Sequence, residues 1–299
     1  MSAAGTLSAG FVLHEPEFEE VLGDDPVLEL VAETDAHEGP VYAADEDALY
    51  FTTVRRERVA IKRLDLRDRS VSVVRADANM ANGMTLDREG RIVVCEQGTL
   101  ASPARITRFD RTTGAVETVV DSWSGLPLNS PNDVVVGSDG SIWFTDPSYG
   151  YLQGFRPKPL VGDFVYRYDP ATGRPAVVAE SFDKPNGLAF SPDERLLYVA
   201  DNGRPHHIVA FDLASGFRRV LANGTPAHPD GLVVDSAGRL YASARSGIQV
   251  FAPSGAVLGE ISLPGAVNFT FGGPGGDVLF ITTDTAVWAA VLAAKGARP

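Results

Sequence analysis

The sequence predicts an all-β fold, a six-bladed β-propeller whose blades are four-stranded and antiparallel. Three observations carry that expectation. One phrase recurs along the chain: a polar residue, a short apolar strand, a tight turn and a second apolar strand. Its polar residues are Glu38, Asn82, Asn132, Asn186, Asp230 and Asn268, which stand 44, 50, 54, 44 and 38 residues apart. A period of about 40–50 residues built from several short strands is the mark of a propeller. The turns are also regular, with Arg88-Glu89-Gly90, Ser138-Asp139-Gly140 and Ser236-Ala237-Gly238 each separating two apolar runs. Finally, helix-period spacing is confined to the tail Trp288–Lys295, the single stretch where a helix competes with a strand.

Taken in order, residues 1–26 form an N-terminal extension, small-residue-rich and then acidic, expected to wrap over the surface. Residues 27–299 then form a single propeller domain. Val27–Val31 alternates as a strand with no earlier blade to finish. The last repeat supplies three strands, Val267–Phe271, Val278–Thr282 and Ala286–Leu292. Val27–Val31 is therefore expected to pair there as the outer strand, closing the ring and removing an exposed edge. Blade 2 shows the full reading, with strands A to D at Gly83–Leu86, Ile92–Glu96, Arg105–Phe109 and Val116–Val120. The fifth repeat opens at His228-Pro229-Asp230-Gly231, and Gly272–Gly276 reads as a turn because it lacks a phosphate loop's Lys-Ser/Thr ending.

Antiparallel order then divides the disc into two faces. The start of each strand A must share a face with every B–C loop. Those loops carry the long insert Pro147–Val161, Gln97–Pro103, the cluster Arg55, Arg56 and Arg58, and Gly203-Arg204-Pro205-His206-His207. The insert, with Tyr149, Tyr151, Phe155, Arg156 and Lys158, is expected to lie over a substrate as a lid. The arginine cluster is expected to be a solvated loop.

Bulk composition narrows the partners. With 26 Lys and Arg against 39 Asp and Glu, the net charge is −13, which argues against nucleic acid or an anionic membrane. No run approaches the roughly 20 apolar residues of a membrane helix. Met1–Thr6 lacks the charged and apolar regions of a signal peptide, so a cytoplasmic protein is the default expectation, a trimmed leader being the alternative. Cys95, the one cysteine, lies in the apolar run Ile92–Cys95 and reads as a small buried hydrophobe. Monomer and dimer both stay open.

The six polar positions admit two readings. Asn-Gly and Asp-Gly are ordinary turn dipeptides. Yet each repeat already has its own A–B turn, and Glu38 and Asn132 are followed by no such dipeptide. Strand A lines the axis, so six oxygen-bearing side chains would converge there. Buried, they repel or stay unsatisfied unless something binds them. A hard divalent cation resolves the conflict. A nucleophile is not evident: there is no G-x-S-x-G elbow and no H-E-x-x-H.

Several of these stretches together carry a family resemblance. Glu38-Gly39-Pro40, Asn129-Ser130-Pro131-Asn132-Asp133-Val134, Phe144-Thr145-Asp146-Pro147-Ser148-Tyr149-Gly150, Pro185-Asn186-Gly187-Leu188 and Pro229-Asp230-Gly231-Leu232 resemble the gluconolactonase family, which includes regucalcin. The similarity runs from about Glu17 onwards. It implies a six-bladed propeller and one divalent metal ion, Ca²⁺ first and Zn²⁺, Mg²⁺ or Mn²⁺ as alternatives. The implied ligands are Glu38, Asn132, Asn186 and Asp230. Two departures bear on the sugar. Ser130 stands where regucalcin-type members have a substrate-binding arginine, and Gln97 where many gluconolactonases have histidine.

The function so implied is metal-dependent hydrolysis of a sugar lactone, glucono-1,5-lactone foremost, to the aldonic acid. Asp230 is the candidate to accept the water proton, the alternative being a ligand role alone. Asn82, Gln97, Tyr149 and His37 are the substrate-binding candidates, His37 having the alternative of a supporting hydrogen bond. Two other functions compete: a fluorophosphatase-like phosphotriesterase, and a non-catalytic calcium-binding regulatory propeller.

Overall fold

A computed structural model describes residues 5–8, 10–204, 206–223 and 229–297; Pro205 and His228 lie outside the described residues. Six antiparallel sheets stand in a ring, in the order the repeats predict. Blade 3 is representative: Val134–Val136, Ile142–Asp146, Phe164–Asp169 and Arg174–Ala179 follow one another outwards from the axis. Strand A of each blade touches strand A of the next, and Asn268–Gly272 of blade 6 touches Val41–Ala43 of blade 1.

Each strand B is sandwiched between neighbouring blades, so it reads as a continuous apolar run. Ala48–Thr52, Ile92–Glu96, Ile142–Asp146 and Leu240–Ala244 are buried at every residue. The outer strands face water on one side, and Val71–Arg75 is largely exposed. Among the described residues the core falls into six clusters, one between each pair of adjacent blades. Trp143 and Val165 meet Leu197 and Val199 between blades 3 and 4. Cys95 sits with Ile106, Phe144 and Tyr166 between blades 2 and 3, with no exposed surface, and burial pushes its thiol well up. It is the small hydrophobe expected.

The ring closes as anticipated. Val27–Glu33 pairs antiparallel with Ala286–Val291, from Val27 opposite Val291 to Glu33 opposite Ala286. That pairing makes Trp288 and its neighbours a strand, so the helical alternative for the tail fails. Ahead of it, Phe11–Leu13 adds to Val257–Ile261 of blade 5, and Gly5–Ser8 adds beyond that, giving this sheet six strands. A 3-10 turn, Pro16–Phe18, and a helical turn α1, Glu19–Leu22, then bury Phe18, Val21 and Leu22 in the cluster between blades 5 and 6. No helix among the described residues is long and apolar enough to cross a membrane.

Candidate active site

The glycines of the Asn-Gly and Asp-Gly pairs settle the turn question. Gly83, Gly187 and Gly231 do not adopt positive φ, so these dipeptides are not the left-handed turns they resemble. Glycine is needed instead for close approach. A Cβ on Gly187 would lie 2.0 Å from the Asp230 carbonyl oxygen of the next blade. The contact closes with a hydrogen bond from Gly187 N to that oxygen at 3.0 Å, and Gly83 N likewise donates to Asn132 O at 2.8 Å. The strand register also slips at these points, between Ala81 and Met84 and between Pro185 and Leu188. Such bulges re-aim a side chain, here at Asn82 and Asn186.

The result is a cavity of about 350 Å³ at the strand A starts, lined by the side chains the sequence singled out. Glu38, Asn132, Asn186 and Asp230, expected to hold a cation, all line it. Glu38, Asn132 and Asn186 are buried, and Asp230 is partly open to the cavity. Asn82, Gln97, Tyr149 and His37 line the same space. Asn82 Nδ2 donates to Asn132 O at 3.1 Å, and Asn186 Nδ2 lies 3.5 Å from the Tyr149 hydroxyl. His37 Nδ1 bonds Asp284 Oδ1 at 2.8 Å, so it makes a supporting hydrogen bond and still borders the cavity. Asn268, the sixth polar position, is buried and donates to Glu38 Oε2 at 2.7 Å.

The carboxylates here resist ionisation. Burial pushes Glu38 up to about 7 against the lowering hydrogen bond from Asn268. Burial, and then the Glu38 charge, pushes Asp230 up to about 8. Asp133, immediately below on the axis, is pushed up to about 7 by burial and further by Asp230. Three acids buried this close together favour their protonated forms unless positive charge is brought among them. Among the described residues no group of three or more His, Cys, Asp or Glu converges as ligands. The available set is two carboxylates and two amides, all-oxygen, which suits a hard divalent ion and not a thiolate or imidazole centre.

The insert behaves differently from a lid. It holds a helical turn, α2, Tyr149–Leu152. Arg156 is buried beneath it and donates to four main-chain carbonyls, those of Leu128, Asn129, Thr99 and Ser102, at 2.8–3.1 Å. Ser130 accepts from Gly150 N at 2.9 Å and donates to Pro147 O at 2.6 Å. The insert is thus riveted to blades 2 and 3, with Tyr149 alone of its named residues lining the cavity. Ser130 has no exposed surface, so it offers no substitute for a substrate-binding arginine.

Arg55 does more than the expected solvated loop requires. All three arginines are exposed as expected, but Arg55 also lines the cavity, bonds Gln153 and lies 4.8 Å from the centre of the Phe155 ring. Gln153, Asn202 and Thr53 also line the space and were not singled out from the sequence. All four lie on B–C connections, so the two-face argument held the signal that could have found them. His206, His207 and Arg204 do not line it.

Comparison with known proteins agrees with this geometry. Residues 36–285 match the SMP-30/Gluconolactonase/LRE-like region. The gluconolactonase of Zymomonas mobilis is 38% identical over 197 residues, 61% of this chain and 54% of that protein, so the alignment spans about half of that relative. A 6-deoxy-6-sulfogluconolactonase from Pseudomonas putida is 31% identical over 82% of each chain. The solved structure of a Xanthomonas campestris gluconolactonase superposes with a TM-score of 0.84 at 34% identity, over 97% of this chain and 99% of that one. On its motifs, its ring of six blades and these matches, the chain belongs to the SMP-30/gluconolactonase/LRE-like family.

Proposed function

We propose that this protein hydrolyses a sugar lactone, foremost glucono-1,5-lactone, with one divalent cation, foremost Ca²⁺, held by Glu38, Asn132, Asn186 and Asp230. The observation that carries the reading is the convergence of two proton-rich carboxylates and two amides at one end of the axial channel. The lactonase names of relatives across the family support the choice of substrate class. A divalent cation, when bound, supplies Lewis acidity toward a lactone carbonyl and toward water.

The chain's own residues supply the rest. Asp230, partly open to the cavity and ionised once a bound cation had displaced its proton, would accept a proton from the attacking water and return it to the departing ring oxygen. Gln97, Asn82 and the Tyr149 hydroxyl offer hydrogen bonds to the hydroxyls of a sugar ring. His37, tethered by Asp284, closes one side of the cavity.

Proton release from glucono-1,5-lactone in weak buffer, corrected for spontaneous hydrolysis, tests this. Acceleration is expected to vanish on chelation and return with Ca²⁺. Asp230→Asn is expected to lower kcat by about 10²–10⁴-fold. A flat trace from the Ca²⁺-loaded wild type, across gluconolactone and other aldonolactones, would reject the lactonase reading. A phosphotriester turned over in its place would favour fluorophosphatase chemistry.

A further inference from the structure

Two of the loops that lead into strand A are held from behind by a buried carboxylate. Asp146 ends the strand Ile142–Asp146 and has no exposed surface. Its Oδ2 accepts Asn129 N at 2.8 Å and its Oδ1 accepts Ser130 N at 2.8 Å. Those donors sit three and two residues ahead of Asn132. One blade further on, Asp201 ends Leu196–Asp201 and is 2% exposed. It accepts Asp183 N at 3.1 Å and Lys184 N at 2.9 Å, three and two residues ahead of Asn186. It also accepts Gly203 N at 3.2 Å and lies 3.6 Å from His207 Nε2.

Among the described residues the device is absent from the other blades in this form. Fourteen or fifteen residues after the polar position, blades 1, 5 and 6 have Thr53, Ala244 and Thr283. Blade 2 has Glu96, but its oxygens go to side chains, those of Arg75, Asn79, Arg105 and Thr107. Among the described residues, the strand-end carboxylates that accept N–H groups of the loop leading into strand A therefore stand behind Asn132 and Asn186, whereas ahead of Glu38 the loop's own Asp35 accepts Val54 N at 2.8 Å.

That distribution has a physical reason. A carboxylate ligand is drawn to a cation by its own charge, and Glu38 is additionally held by Asn268. An amide has only a dipole, so its value as a ligand depends on being aimed beforehand. A hydrogen bond from a main-chain N–H to an ionised carboxylate is roughly twice as strong as one between neutral groups; burial pushes Asp146 up to about 7, so its two bonds reach that strength above neutral pH. Two such bonds per loop fix where the following amide starts.

We infer that Asp146 and Asp201 are positioning residues for cation binding, each fixing through two main-chain N–H groups the loop that aims an uncharged amide, Asn132 or Asn186, into the axial cavity. This rests on the reading that the cavity holds a divalent cation. Neither carboxylate lines the cavity.

The test is Ca²⁺ titration by calorimetry on folded, full-length protein. Asp146→Asn and Asp201→Asn keep the side chain's shape but turn an NH₂ group toward a donor. Each is expected to raise the Ca²⁺ Kd at least tenfold, within the roughly 10–100-fold range for outer partners of metal ligands. Val165→Ala and Val209→Ala trim the cores of the same two blades away from the loops, and are expected to stay within twofold of wild type. If wild type binds Ca²⁺ and the asparagine variants bind it as tightly, the inference is overturned while the cation reading stands. If wild type binds none of Ca²⁺, Mg²⁺, Mn²⁺ or Zn²⁺, the cation reading falls and takes the inference with it. Hydrogen exchange on chelated wild type needs no variant to fold. The amides of Asn129, Ser130, Asp183 and Lys184 are expected to stay protected without metal, and exchange at the rate of exposed loops would overturn the inference.

Discussion

Glu38, Asp133 and Asp230 sit where burial opposes their charge, raised to about 7, 7 and 8 from ordinary values near 4. Between those limits the folded protein holds protons that the unfolded chain has released. In the absence of a cation, stability from these groups is therefore fully present below about pH 4 and falls as pH rises toward 8. A cation at Glu38 and Asp230 must displace the same protons. Ca²⁺ affinity is accordingly expected to climb steeply from pH 6 to pH 8, with net proton release on binding. Calorimetry in buffers of different ionisation enthalpy counts those protons, and a pH-independent affinity would contradict the assignment. Glu38 and Asp230 were readable from the repeats alone, whereas Asp133 was not singled out. The proton affinity of all three was not readable, because it depends on which acids meet across blades, Glu38 with Asp133 and Asp230, almost 200 residues apart at the extreme.

Among the elements, the insert carrying α2 shows most plainly where sequence reading stops. Its place on the cavity face follows from antiparallel order. Its rigidity does not, since Arg156 finds its four carbonyls on two separate segments, 99–102 and 128–129. A lysine cannot reproduce that fork of donors. Arg156→Lys is expected to raise amide exchange across Tyr149–Leu152 at least tenfold and to raise KM more than it lowers kcat. Unchanged exchange would mean that the Ser130 contacts suffice. The tail was ambiguous for another reason: a short apolar run such as Ala286–Leu292 satisfies both helix and strand spacing. Its pairing with Val27–Glu33 decided the matter. The Asn-Gly and Asp-Gly pairs were ambiguous because turns and tight backbone crossings both require glycine, and only the dihedral tells them apart.

At the level of the whole molecule, counting strands was enough to foresee how the ring closes, because one strand was spare at the start and one missing at the end. The extra strands on blade 5 left no such arithmetic. Phe18 reveals their anchor: a Cβ on Gly259 would lie 2.3 Å from its ring, so the blade surface is hollowed to receive it. Phe18→Ala is expected to cost about 3–5 kcal/mol, seen as a lower Tm in calorimetry with Ca²⁺ affinity unchanged. A Tm equal to wild type would show that the segment rests on the blade without bracing it.

The bond between Asn268 and Glu38 joins residues 230 positions apart. A ribosome delivers Asn268 well after Glu38, and the strand that Val27–Glu33 must meet emerges later still. Until then the growing polypeptide has the strands of five blades and no sixth to close the chamber. On the proposed reading, a chain that still lacks Asn268 and the strand Ala286–Val291 is expected to bind a divalent cation more weakly than the closed ring.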